Sequence, residues 1–176
     1  EKGYNIVTAS TLVSVSSVCG IVGTVFSGLI SDKMFRSNRT IPACLSSLLN
    51  LAALALFLFG PRQCEILDII SMILFGISIG ILLCFLGGLM AIDIAPKEAT
   101  GAAVGVIGIA SYAAAGLQDV VSGFLIESRK AIVDGNPVYD FSAIRIFWLS
   151  AALVSLLSLL IIWGARKKHV SSNIHY

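Results

Sequence analysis

Charge is what this sequence has least of. Asp, Glu, Lys and Arg make up 12% of its 176 residues, and none of them falls between Val7 and Ser31, Ile41 and Gly60, Ile69 and Ile92, Ala99 and Gln118, or Ile146 and Ala165. With a net charge of +2 and basic residues gathered in short clusters, the chain has no continuous basic face to offer a nucleic acid. Histidine is confined to His169 and His175, and Cys19, Cys44, Cys64 and Cys84 form no C-x-x-C pair. That scarcity argues against a zinc or disulfide framework and leaves the thiols as small hydrophobes. The uncharged runs hold no Ser/His pair, no H-E-x-x-H and no paired aspartates, so an intramembrane enzyme lacks support and no cofactor is implied. Neither an initiator Met nor a secretory signal opens the sequence, which reads as the later part of a longer chain.

What the sequence has in abundance is apolar surface. It is 57% hydrophobic, and its mean hydropathy of +0.94 exceeds what one water-soluble core can absorb. A hydrocarbon layer about 30 Å thick takes roughly 20 apolar residues per helical crossing, and runs of that length occur five times. They lack the alternation of barrel strands, so helices alone can satisfy their backbone groups in lipid. The expected fold is therefore an all-α membrane protein with five transmembrane helices, at about 7–31, 41–60, 67–92, 99–126 and 144–165.

Loop charge sets the orientation. Lys33, Arg36, Arg39, Lys97, Arg166, Lys167 and Lys168 fall on one side of the alternation, and Lys2, Arg62, Arg129, Lys130 and Arg145 on the other. Because Lys and Arg in short loops favour the cytoplasm, the first set marks that side and the N-terminus is expected outside. Pro42, Pro61 and Pro96 punctuate the spans, and Asp134-Gly135-Asn136-Pro137 marks a turn in the external loop from Glu127 to Asp140. The second and fifth spans, rich in Leu and Ala, read as outer helices. The first, third and fourth, rich in Gly and Ser, read as inner ones.

On the fourth span, Gly101, Gly105, Gly108, Tyr112, Ala115, Gly116, Asp119 and Gly123 share about a third of the circumference. The glycines alone read as a packing groove. A carboxylate within a span costs roughly 2.5–3.5 kcal/mol at its centre. Asp119 is thus either an acid near the outer headgroups or a cavity residue coupled to a proton, an ion or a substrate, with Gln118 in support. At the end of the first span, Gly28 permits close approach, and Asp32, Lys33, Arg36 and Arg39 can latch a helix end to its neighbours.

This Gly28 to Arg39 segment resembles the loop signature of the major facilitator superfamily, found after the second and again after the eighth of twelve helices. More narrowly, Ser31-Asp32-Lys33-Met34-Phe35-Arg36-Ser37-Asn38-Arg39 resembles the S-D-K-x-F-x-G-N-R of the organophosphate:phosphate antiporters. Asp93-Ile94-Ala95-Pro96-Lys97-Glu98-Ala99-Thr100-Gly101-Ala102-Ala103-Val104-Gly105 likewise resembles their E-x-A-P-K-x-A-x-G-x-A-x-G. That family holds the glycerol-3-phosphate and hexose-6-phosphate transporters and a related hexose-phosphate sensor. The resemblance implies helices eight to twelve, with the first seven absent. It implies alternating-access uptake of a phosphorylated solute in exchange for inorganic phosphate, in a bacterial inner membrane. The partners are then the lipid bilayer and the remaining helices.

The family's phosphate-binding arginines belong to its first and seventh helices, outside this chain. Tyr112 matches the family's cavity tyrosine, while the Asp32 loop is implied to hold the outward-facing state. The sequence departs from the family at Gly80-Ile81-Leu82, where an aromatic Y-G-P is usual, and at Ser37 in place of glycine. A transporter-like hexose-phosphate sensor and an inactive truncated fragment are the alternative readings.

Overall fold

The computed structural model describes residues 2–34, 39–62, 64–133 and 136–172, including all side chains there except those of Ile30, Asp32, Met34, Val133, Asn136, Pro137 and residues 165–172. Five helices in it are long and apolar enough to cross a membrane. The first, α1, runs from Ile6 to Met34 and starts where the Asn5 side chain accepts the Thr8 backbone N–H at 2.8 Å, satisfying a donor that has no partner inside the helix. The second, α2, spans Thr40–Phe59 and stops at Gly60-Pro61.

The third crossing is compound. It comprises α3 (Glu65–Cys84), a π-helical turn at Phe85–Leu89 and α4 (Met90–Ile94), ending where Ala95 turns extended ahead of Pro96. A short 3₁₀ turn at Lys97–Ala99 leads into α5 (Thr100–Glu127). The external loop expected from Glu127 to Asp140 contains a hairpin of β1 (Lys130–Val133) and β2 (Asn136–Tyr139), pairing antiparallel from Lys130↔Tyr139 to Val133↔Asn136; Asp134 and Gly135 of the turn signal lie outside the described residues. Asp140 then caps α6 (Ser142–Ser172) by accepting the Ser142 N–H at 2.9 Å and its hydroxyl at 2.8 Å. The bond from that backbone N–H holds the Asp140 carboxyl below its usual range.

The compound third span is the centre of packing, with α1 on one flank and α2 on the other, while α6 packs on α2. Between α1 and α3 the backbones touch. A Cβ built on Gly76 would strike the Ser16 carbonyl, one on Gly80 the Gly20 carbonyl, and one on Gly23 the Ile77 carbonyl. Thr24 Oγ1 crosses the same seam to the Gly80 carbonyl at 3.1 Å. Between α2 and α3 the link is Asn50 Nδ2 donating to Ser78 Oγ at 3.3 Å. A small core of Ala43, Phe85 and Leu159 ties α2, the π turn and α6 together. By contrast α5 is held lightly; it meets α4, the π turn and α6, where Trp148 Nε1 donates to Ser122 Oγ at 3.1 Å.

Candidate functional site

On α5, Tyr112 and Asp119 lie seven residues apart, hence about 20° apart around the helix and about 10 Å along it. Both are exposed, Tyr112 to 83%. Gln118 is turned about 100° from Asp119 and lines a cavity of about 430 Å³ between α2, α3, α5 and α6. All three expected cavity residues are exposed, Tyr112 and Asp119 as a pair on one face and Gln118 at the border of the cavity between the helices. The small face carrying the pair is equally open, since a Cβ on Gly101, Gly105, Gly108, Gly116 or Gly123 would meet nothing within 4 Å. The glycine groove expected on this helix therefore has no occupant within the described residues. The close-packed glycine seam belongs to α1 and α3.

At the end of the bundle where α1 finishes, the two motif segments touch. Arg39 Nε donates to Asp93 Oδ2 at 3.1 Å, joining the start of α2 to the end of α4, with the arginine largely covered and the carboxylate half-exposed. Lys33 is exposed, and Gly28 has open space where a Cβ would stand. Arg36, Ser37 and Asn38 lie outside the described residues, as does the side chain of Asp32. Arg39 is thus the motif cation whose partner the structure identifies.

The opposite end carries a network that the sequence reading passes over. Asp68, in the first turn of α3 and 0% exposed, accepts Lys2 Nζ at 2.7 Å and the Tyr4 hydroxyl at 2.8 Å. Lys2 also donates to the Gly60 carbonyl at 3.2 Å and lies 5.2 Å from the centre of the Phe57 ring. Gly3, at φ 77°, supplies the left-handed turn that lets its two neighbours reach one carboxylate. A buried acid with two donors is a satisfied group, and it straps the segment ahead of α1 onto α3. The signal was present but ambiguous, because Asp68 stands one residue before the charge-free run and reads from sequence as its boundary.

Burial, then the hydrogen bond to Asp68 and the charge of that carboxylate, push the Tyr4 phenol up to about 12 from an ordinary 10.0. The unfolded chain sheds this proton first as pH rises. The group therefore adds no pH dependence below about pH 10, and stability falls from there toward pH 12. Ultraviolet titration should show one of the four tyrosines ionising late, and Tyr4→Phe should remove that late step. Four phenols titrating together would count against the network.

The sequence is also similar to those of known membrane proteins. The chain is 29% identical over 157 residues to a glycerol-3-phosphate transporter of Bacillus subtilis, covering 86% of this chain and 32% of that protein. It is 32% identical over 120 residues to the membrane sensor protein UhpC of Escherichia coli, covering 65% and 26%. A probable galactarate/D-glucarate transporter of the same organism is 25% identical over 173 residues, covering 95% and 35%. The chain thus spans about a third of the length of the curated relatives it matches. With its five membrane-length helices and with residues 1–118 matching the family pattern, the chain belongs to the Major Facilitator Superfamily.

Proposed function

We propose that this chain forms the later helices, eight to twelve, of a secondary transporter that takes up a phosphorylated small solute in exchange for inorganic phosphate by alternating access in a bacterial inner membrane. The observation that carries the reading is the open face of α5. Tyr112 and Asp119 stand on a membrane-length helix without partners among the described residues, and polar groups at such positions normally face a water-filled path or another helix. A central cavity shared with further helices meets that need. Tyr112 then contacts solute, and Asp119 faces the path. Support for the solute class comes from the relative named as a glycerol-3-phosphate transporter. The relative named as a membrane sensor supports a second reading, in which the same fold reports on its solute rather than moving it.

The Arg39–Asp93 pair gives this reading a mechanical element. We place it on the cytoplasmic side with the C-terminus, where it ties adjacent helix ends in one state of the cycle. An ion pair with one half-exposed partner contributes only about 1 kcal/mol to folding, so its removal should largely spare the fold.

The test is uptake of labelled glycerol 3-phosphate by the full-length protein in phosphate-loaded vesicles. Tyr112→Ala should lower uptake at least about tenfold, the worth of one contact of about 1.4 kcal/mol in the transition state. Arg39→Asp should slow exchange with little loss of stability, and Arg39→Asp with Asp93→Arg should recover part of it. Uptake of labelled D-glucarate but not of any phosphorylated solute would overturn the substrate class. Solute binding without any flux would favour the sensor.

A further inference from the structure

At the Asp68 end, a cavity of about 540 Å³ opens between the segment ahead of α1, the end of α2 and the start of α6. Three cations line it: Lys2, Arg62 and Arg145. Among the described residues two carboxylates stand near them: the buried Asp68, already bonded to Lys2, and the exposed Glu65, whose charge reaches Tyr4, while Arg145 keeps an interaction of its own. Arg62 is exposed and makes no hydrogen bond or ion pair among the described residues. Below these cations the walls turn apolar. Phe57, Met72 and Trp148 line both this cavity and the one of about 430 Å³ beneath it, so the two adjoin along α2, α3 and α6.

The polarity is therefore graded from a cationic mouth at the aqueous end to an apolar floor inside the bundle. A free phosphorylated solute matches the mouth and leaves the floor unfilled. A phospholipid matches both, and the volumes fall within the range of about 300–1,000 Å³ typical of sites that hold one ligand. We propose that these adjoining cavities bind a single phospholipid with an anionic headgroup, its phosphate beside Arg62 and Arg145 and one acyl chain along Phe57, Met72 and Trp148. The assignment does not need transport activity, but it requires that the cavity stay open to lipid beside the further helices of the proposed transporter.

Trp148 provides the readout, and the full-length protein in lipid nanodiscs is the sample. Trp163, the other tryptophan of this chain, stands near the far end of α6 and is replaced by Trp163→Phe. Phosphatidylglycerol brominated on its acyl chains should quench the fluorescence component that Trp148→Phe removes at about thirtyfold lower mole fraction than brominated phosphatidylcholine, the preference that two cations near a headgroup confer. With Arg62→Gln the preference should fall to about fivefold. Adding Trp148→Phe should abolish the selective quenching.

Equal quenching by the two lipids would overturn the proposal. So would the absence of quenching by either, which would mean that a protein segment fills the cavity. Displacement of the brominated phosphatidylglycerol by millimolar inorganic phosphate would reassign the mouth to a soluble anion and overturn the lipid assignment. Because Arg62 has no partner among the described residues, an unchanged preference in Arg62→Gln would overturn it as well.

Discussion

Gly80→Val should destabilise the helix bundle by about 3 kcal/mol or more, at the upper end of what overpacking costs. The reason is what a side chain would meet. A Cβ on Gly80 runs into the Gly20 carbonyl, with the Thr24 backbone nitrogen also near, and one on Gly76 runs into the Ser16 carbonyl. A flexible side chain can move aside, but the backbone of α1 moves only by separating the two helices. Separation also breaks the bond from Thr24 Oγ1 to the Gly80 carbonyl.

The control lies in the same chain. Gly105→Val introduces the same side chain at a helical glycine where nothing among the described residues lies within 4 Å, so within these five spans only the modest helix propensity of valine is at stake, below about 1 kcal/mol. Thermal unfolding in detergent reads the difference directly. Equal losses in the two variants would mean that α1 and α3 do not meet through their glycines.

These two glycines show how far the sequence can be read. Gly76-x-x-x-Gly80 and Gly101-x-x-x-Gly105 have the same spacing, and both predict a face that admits close approach. Spacing says that a helix can be approached, while the identity of the approaching helix depends on tertiary arrangement. In the structure the first pair meets α1 and the second meets open space. The existence and number of the spans, in contrast, follow from uninterrupted runs of apolar residues. Each run has few ways to satisfy its backbone in lipid other than as a helix. The π turn at Phe85–Leu89 had no such signal, because Gly87-Gly88 is compatible with an ordinary helix.

The candidate site was legible in the same uneven way. The seven-residue spacing of Tyr112 and Asp119 puts them on one face by helix geometry alone, and Gln118, one residue away, necessarily points elsewhere. Both motif segments were visible as strings of residues, yet their contact through Arg39 and Asp93 spans 54 positions of sequence and could be learned only from the fold. The Lys2–Asp68 bond spans 66 positions. Charges at the edges of apolar runs are ordinarily solvated, and nothing in the run beginning at Ile69 distinguishes a solvated Asp68 from a buried one. Long-range polar pairs are the class of contact that hydropathy patterning cannot supply.

That buried carboxylate gives the second large effect, and it is an asymmetric one. Lys2→Met should cost about 3 kcal/mol, because it leaves Asp68 0% exposed with the Tyr4 hydroxyl as its one side-chain donor among the described residues. Asp68→Leu should cost less, about 1–2 kcal/mol. Lys2 retains 17% exposure on a segment outside any helix, so its ammonium can swing into water, whereas the carboxylate is fixed in the first turn of α3. Lys2→Met combined with Asp68→Leu removes both charges from the seam and should be no worse than Asp68→Leu alone, a coupling of about 3 kcal/mol by double-mutant cycle. Denaturation of the four proteins in one detergent measures all the terms. If the two single variants lose equal stability and the double variant loses their sum, then Asp68 is hydrated, and the strap ahead of α1 is not what holds this end of the bundle closed.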